Sequence, residues 1–228
     1  MYKDLKDRVL KANLFLKDEE LIKLTWGNVS EIDRENNVIA IKPSGVSYDV
    51  MKAEDIVIVD IEGKVLEGDL NPSSDLLTHL EIYKQFDQIG GITHTHSTYA
   101  TSYAQANKEI KFFGTTHADH FKSSIKLTRQ LTNDEINLDY EKNTGLVICE
   151  SLTDNPLHNP AILVPGHGPF TFGKDGMDSA KNALVLEEVS KMSYLTTNIN
   201  PNAEEINKVV ADKHFNRKHG KDSYYGQK

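Results

Sequence analysis

The sequence predicts one α/β domain in which a central, mostly antiparallel or mixed β-sheet is flanked by helices on both faces. Its 228 residues, 38% of them hydrophobic, are enough to bury one substantial core. Short apolar runs joined by hairpin-like turns favour this sheet over a repeated parallel βαβ array. Because no internal repeat, low-complexity block or linker divides the chain, residues 1–228 are predicted to form a single domain.

The first part of the chain is predicted to form a helix followed by short strands. Apolar residues from Leu5 to Leu16 recur at near-helical spacing, which indicates an opening amphipathic helix. Polar turns at 36–37 and 62–64 separate the apolar runs that follow. The predicted strands cover residues 25–32, 38–41, 56–61 and 65–66.

The remaining chain alternates helices with strands. Cap-type residues at 72–75 lead into an apolar series that begins at Leu76, as at the start of a helix, and 131–135 resembles a second helix start. Further strands are predicted at residues 92–95, 161–164 and 170–172. Further helices are predicted at residues 98–106, 180–195 and 203–215.

Composition and charge exclude several classes of partner. The formal net charge of −8 disfavours broad binding to nucleic acid or to an anionic membrane. The first 16 residues lack the continuous apolar region of a secretory signal, and no stretch has the length of a bilayer span. The one cysteine, Cys149, is interpreted as a small buried hydrophobe. A cytoplasmic protein that acts on a small molecule is therefore expected.

The pattern His94-Thr95-His96 is the sharpest chemical feature of the sequence. Side chains two residues apart in a strand point the same way, so both imidazoles can bind one metal ion. His167 lies between two glycines that leave room for a ligand, and Asp75 is a possible fourth donor. Three histidines and one carboxylate suit catalytic zinc, although Mn²⁺ or Co²⁺ suits similar donors. The alternatives are unrelated histidines at a strand end and, for Asp75, a plain helix N-cap.

Three polar loops precede the histidine pair and share a chemistry suited to anions. Glycine permits close backbone approach, serine and asparagine donate hydrogen bonds, and helix N-termini favour negative charge. The loops contain Gly27 and Asn28, then Lys42, Ser44 and Gly45, then Ser73 and Ser74. They predict a phosphate cradle, and the absence of a Walker or GxGxxG motif argues against a nucleotide site.

Several segments together resemble the L-ribulose-5-phosphate 4-epimerases, a branch of the class II aldolase and epimerase superfamily. The matching segments are 24–30, 41–46, 72–75, 91–97, 114–119, 166–170 and the tail from 212–214 through 224–227. They cover nearly the whole chain in a fixed order, so the resemblance implies a class II aldolase-like fold. It also implies a homotetramer with its sites at subunit interfaces.

The resemblance assigns roles residue by residue. It implies a zinc-type site from Asp75, His94, His96 and His167, and substrate contacts from Gly27, Asn28, Lys42, Ser44, Gly45, Ser73 and Ser74. It implies that Asp119 and Tyr225 form an acid/base pair reaching the site from a neighbouring subunit. Thr115, His214 and Arg217 match secondary positions of the family, which the resemblance implies would position substrate or phosphate. Without the resemblance, Asp119 is interpreted as a loop carboxylate and Tyr225 as a chain-end residue.

The implied reaction interconverts L-ribulose 5-phosphate and D-xylulose 5-phosphate. Because the carbonyl is at C2, C4 carries no acidic proton, and a retro-aldol cleavage of C3–C4 followed by re-addition is expected to invert C4. A divalent metal would stabilise the enediolate fragment as a Lewis acid.

Three alternatives stay open. One is a class II aldolase that releases dihydroxyacetone phosphate and an aldehyde, but similar aldolases carry glutamate where this chain has Asp75, and the Tyr-Tyr-Gly-Gln tail fits the epimerases. The others are an adducin-like assembly module and a zinc-stabilised structural domain. The retained histidines argue against the assembly module, and the single cysteine argues against the structural domain.

Overall fold

The computed structural model describes residues 1–152, 155–220 and 223–224. Its strands are β1 (Asn28–Asp33), β2 (Val38–Ile41), β3 (Val57–Asp60), β4 (Val65–Glu67), β5 (Gly91–His94), β6 (Ala161–Val164) and β7 (Gly168–Gly173). Its α-helices are α1 (Lys3–Asp18), α2 (Leu76–Gln85), α3 (Thr98–Gln105), α4 (Thr115–Ala118), α5 (Asn133–Ser151), α6 (Gly176–Ile199) and α7 (Lys208–His219).

The strands form one sheet in the order β4-β3-β2-β1-β5-β7-β6. Every neighbouring pair of named strands is antiparallel, which confirms the predicted class of sheet. Short connections join β1 to β2, β3 to β4 and β6 to β7, as tight turns do in antiparallel sheets. Strand β5 lies near the centre, between β1 and β7.

Helices cover both faces of the sheet, as predicted. On one face, α2 and α5 pack on residues such as Ile39, Val57 and Phe170. On the other, α1 and α6 pack on residues that include Ala40 and Ile58. Helix α3 joins α6 in a third apolar cluster with Leu163 of β6. Double-sided burial explains why several strands are continuous apolar runs instead of alternating ones.

Helix α6 extends beyond the predicted 180–195 at both ends, and two further helices differ from the predictions. Helix α7 begins at Lys208, not at 203, because the Asn207 side chain accepts from the Val209 N–H at 2.9 Å and caps the helix there. Helix α5 begins as predicted after Thr132, whose side chain forms a capping box with Glu135, but it is kinked at Asp139. No sequence pattern predicted the short helix α4. Among the described residues, no helix combines the length and apolarity needed to cross a bilayer.

Close packing of β5 against the start of α6 predicts that Gly91 tolerates no side chain. A Cβ atom at Gly91 would overlap the backbone of Asp175 and Gly176, whereas one at Gly114 meets no atom within 4 Å. We expect Gly91→Ala to lower the free energy of unfolding by about 1–3 kcal/mol through overpacking. Gly114→Ala is the matched control, with an expected change within about 0.5 kcal/mol. Urea denaturation measures both, and equal midpoints would contradict the packing argument.

Candidate metal centre

The predicted metal-binding and substrate-contact residues come together around one cavity of about 580 Å³ beside the ends of β1, β2 and β5. Its wall contains Asp75 and all three candidate histidines, as well as every predicted substrate-contact residue. The lining residues are Thr25, Trp26, Gly27, Asn28, Lys42, Pro43, Ser44, Gly45, Ser73, Ser74, Asp75, His94, His96 and His167. Parts of the chain far apart in sequence therefore form a single concave surface.

Strand β5 and the turn before β7 position the three histidines. His94 is the last residue of β5, where it pairs with Asn28 of β1 and with Phe170 of β7. His96 follows just beyond the strand, and its Nε2 lies 2.9 Å from Nε2 of His94. His167 lies in the turn between β6 and β7. One ring nitrogen from each histidine falls within 4.8 Å of the others.

The hydrogen bonds of His94 indicate which nitrogen is available to a metal. Its Nδ1 lies 2.9 Å from the Pro169 carbonyl oxygen, which can only accept, so Nδ1 carries the proton. Burial lowers the pKa of His94 to about 3, which keeps the imidazole neutral. Burial also lowers the pKa of His96 and of His167. Neutral imidazoles with converging nitrogen lone pairs are a donor set that fits a divalent metal ion.

Asp75 occupies the N-cap position of α2 without capping it. Its side chain accepts no hydrogen bond from the helix; instead Oδ2 accepts from Asn28 Nδ2 at 2.7 Å. Burial opposes ionisation of Asp75, but neighbouring histidines and the Asn28 amide outweigh it, so its pKa lies below the usual range. Within the described part of the chain, the group of close donor atoms consists of the histidines and does not include Asp75. Its role as a fourth ligand therefore stays a prediction.

Backbone hydrogen bonds tie the polar loops to one another. The Ser73 N–H donates to the Lys42 carbonyl, and the Ser44 N–H donates to the Asn71 carbonyl, both at 2.9 Å. From β1, the Asn28 amide donates to Ser73 Oγ at 3.0 Å. The three loops thus form one connected wall at the N-terminus of α2.

The loop before β1 lies close to the histidine strand because it contains Gly27. This residue has φ +75°, in the region that favours glycine. A Cβ at this position would lie 2.8 Å from the His94 carbonyl oxygen. Gly27 therefore allows the Trp26 side of the cavity to approach β5.

Lys42 provides a desolvated cation in the cavity wall. Its side chain is 2% exposed, and Nζ donates to the carbonyls of Thr25 and Pro43 at 3.3 Å. Nζ also lies 4.6 Å from the centre of the Tyr48 ring. Burial lowers the pKa of Lys42 to about 8. A bound anion would stabilise the charged form.

Asn28 offers an acceptor that the described part of the chain leaves unused. Its amide nitrogen donates to Ser73 and Asp75, whereas its buried Oδ1 accepts no hydrogen bond from the described residues. Buried polar atoms are seldom left unsatisfied, so Oδ1 is a candidate acceptor for a ligand hydroxyl.

The other candidate residues that the structure describes lie outside this cavity. Asp119 follows α4 and forms a bidentate ion pair with Arg217 of α7, with an Nη2–Oδ2 distance of 2.6 Å. His214 Nδ1 lies 3.1 Å from Asp119 Oδ1. Thr115 begins α4 and is exposed. Tyr225 lies outside the described residues. Neither Asp119 nor its partners line the cavity.

Sequence patterns missed two groups of polar residues beside the site. Tyr140 Oη lies 3.3 Å from His167 Nδ1 and comes from α5, far from the motifs. Beneath Asp75, Ser30 Oγ lies between His79 Nδ1, at 2.7 Å, and the Tyr83 hydroxyl, at 2.8 Å. The four-residue spacing of position 75, at the N-cap of α2, and positions 79 and 83 within α2 was the available signal for the second group. No sequence signal marked Tyr140.

The histidine geometry predicts selective loss of metal on substitution. We expect the unaltered protein to bind Zn²⁺, and His96→Ala to weaken this binding by more than about 100-fold, beyond the ~10–100-fold typical of outer-shell changes. His158→Ala, at an exposed histidine outside the group, is the control. Chelator-competition titration measures both dissociation constants. Unchanged zinc affinity in His96→Ala would refute the ligand assignment.

Comparisons with known proteins agree with this fold. The profile of a family described as "Class II Aldolase and Adducin N-terminal domain" matches residues 7–194. A solved L-fuculose 1-phosphate aldolase is 27% identical, with a TM-score of 0.78 over 92% of this chain and 94% of the other. At 18% identity, YgbL of Klebsiella pneumoniae, titled a putative aldolase/epimerase/decarboxylase, shares the fold with a TM-score of 0.72, over 93% and 98% of the two chains. The chain belongs to the class II aldolase and adducin N-terminal domain family.

Proposed function

We propose that the protein is a metal-dependent enzyme of sugar-phosphate metabolism, and specifically an L-ribulose-5-phosphate 4-epimerase. The observation that carries the proposal is the convergence of the histidine group and the three polar loops on one cavity. Family membership and the similarity to an L-fuculose 1-phosphate aldolase support the broader class. The epimerase assignment rests on the motif resemblance, including Asp75 in place of the aldolase glutamate.

The loop wall supports binding of a phosphate group. Lys42 supplies positive charge in a desolvated position, and Ser44, Ser73 and Ser74 supply hydroxyl or N–H donors. The N-terminus of α2 opens onto the same wall and favours an anion. Asn28 Oδ1 is available to accept from a sugar hydroxyl. Together these groups would hold the phosphate-bearing fragment while the C3–C4 bond is broken and re-formed.

The proposed chemistry breaks and re-forms one carbon–carbon bond. Removal of the C4 hydroxyl proton allows the C3–C4 electron pair to move onto the three-carbon fragment, giving glycolaldehyde phosphate and the enediolate of dihydroxyacetone. Rotation of the aldehyde and addition to its opposite face inverts C4, and a proton returns to the C4 oxygen. A divalent metal held by His94, His96 and His167, with Asp75 as a further ligand, would supply Lewis acidity that stabilises the negative charge.

The acid/base groups of this proposal come from a second subunit. Asp119 and Tyr225 would exchange the C4 hydroxyl proton on the two faces of the aldehyde, as the family resemblance implies. Within the protomer, Asp119 is paired with Arg217 and does not line the cavity. This position supports a site completed by a neighbouring chain of a homotetramer.

A direct assay tests the reaction. Zinc-loaded protein is expected to convert L-ribulose 5-phosphate to D-xylulose 5-phosphate, and His96→Ala to lose this activity with its metal. His158→Ala should retain it. Product is measured by a coupled assay or by NMR. Absence of D-xylulose 5-phosphate, together with turnover of L-fuculose 1-phosphate, would reject the epimerase assignment.

A class II aldolase is the second candidate function, favoured by the 27% identity to an L-fuculose 1-phosphate aldolase. In that reaction the phosphate leaves on the enediolate fragment as dihydroxyacetone phosphate. In the epimerase reaction it stays on the aldehyde fragment. The fate of the phosphorylated fragment therefore separates the two functions. An adducin-like assembly role is less favoured because the histidine group is intact.

Mixing of inactive variants tests the shared site. His96→Ala disables the metal side of a site, and Asp119→Asn disables the group proposed to come from the neighbour. Each variant alone is expected to have little activity. Refolding them together should restore partial activity, because some sites then combine an intact histidine group with an intact Asp119. Size-exclusion chromatography confirms assembly; no recovery in mixed oligomers would contradict a site shared between subunits.

A further inference from the structure

The histidines of the candidate metal centre have different outer partners. His94 Nδ1 donates to the Pro169 backbone carbonyl, which β7 holds in place. His167 lies in a turn, and a side chain contacts its Nδ1: the Tyr140 hydroxyl at 3.3 Å. With Nδ1 engaged in this way, Nε2 is the remaining ring nitrogen of His167. The partner of the second nitrogen commonly fixes the tautomer and orientation of a metal-binding imidazole.

A kink in α5 brings Tyr140 to this position. Asp139 has non-helical angles of φ −162° and ψ 82°, so Tyr140 begins the second segment of the helix. The Asn143 amide donates to the Glu135 carbonyl across the kink at 2.8 Å. Without the kink, the direction of Tyr140 would be set by the first segment of α5.

Hydrogen bonds on the far side of the kink fix the backbone of Tyr140. Thr144 Oγ1 donates to the Tyr140 carbonyl at 2.8 Å, and Thr78 Oγ1 of α2 donates to the Glu141 carbonyl at 2.6 Å. Helix α2 follows directly after Asp75, so this second bond ties the residue after Tyr140 to the element that begins at the cavity wall. The Tyr140 and His167 ring centroids are 6.1 Å apart, and the rings are tilted by 35°.

The Tyr140 hydroxyl is suited to accept a hydrogen bond from an imidazole. A protonated phenol accepts the Nδ1–H of His167 through its oxygen lone pairs. A tyrosine partner adds no negative charge beside the histidines, in contrast to the carboxylate partners of many metal sites.

We propose that Tyr140 is a positioning residue of the metal centre: its hydroxyl holds His167 so that Nε2 faces His94 and His96. This inference rests on the proposed metal site but is independent of which sugar phosphate is the substrate. Tyr140 is not assigned a proton-transfer role. It acts through His167.

The test compares Tyr140→Phe with Tyr103→Phe in the full-length protein. Both variants keep the ring and remove one hydroxyl; in the control, that hydroxyl donates to Ser193 Oγ at 3.0 Å, between α3 and α6. We expect Tyr140→Phe to weaken Zn²⁺ binding by about 10-fold or more in chelator competition. We expect Tyr103→Phe to match the unaltered protein. The visible spectrum of Co²⁺-loaded protein should change in Tyr140→Phe alone, because the orientation of a ligand changes.

The outcomes distinguish a failure of the positioning role from a failure of the metal site. If the unaltered protein binds no zinc, the proposed metal centre fails. If it binds zinc and Tyr140→Phe has the same affinity and Co²⁺ spectrum, the positioning role is wrong. Should Tyr140→Phe be less stable, the rise in Tm on adding zinc still decides the question, since a ~10-fold weaker site reduces that stabilisation by up to ~1.4 kcal/mol.

Discussion

Pairing on both edges of β5 is the constraint on which the candidate site depends. His94 lies opposite Asn28 on one side and Phe170 on the other. The first pairing brings the β1 loop and its buried amide to the histidines, and the second brings the turn that carries His167. A shift of one residue in either register would turn these side chains to the other face of the sheet. The site is therefore a consequence of sheet register more than of any single loop.

The site also combines charged and neutral groups in a largely desolvated wall. Burial keeps His94 neutral, which suits a metal ligand, and it lowers the pKa of Lys42 to about 8. That change corresponds to roughly 3 kcal/mol against the charged amine, which a bound anion can offset. Asp75 supplies the opposite charge, held by Asn28. This arrangement favours a ligand that is anionic at one end and presents oxygen atoms at the other.

The contacts of Asp119 join it to two residues that the family resemblance treated separately. Arg217 and His214, which the sequence offered as secondary positions, bind Asp119 directly. The carboxylate, the guanidinium and the imidazole therefore form one unit between α4 and α7. If a neighbouring subunit presents this unit to the cavity, the three side chains arrive together, and Asp119 is already oriented before substrate binds.

The sequence by itself determined the class of sheet, most helices and the three histidines of the candidate metal centre. Strand alternation was enough to place His94 and His96 on one side, although β5 ends at His94. Local patterns succeeded because strands, caps and helix faces depend on neighbours within a few residues. The same patterns placed the start of α7 too early, because the capping role of Asn207 depends on one side-chain hydrogen bond.

Only the tertiary structure decided which residues meet. It showed that Asp75 accepts from Asn28 instead of capping α2, and that loops far apart in sequence share hydrogen bonds. It also brought Tyr140 to His167 through a kink that helix periodicity does not encode. The physical reason is that these contacts depend on strand register and helix packing, which many residues fix jointly. A motif names the chemical groups, but the packed sheet and helices set their distances.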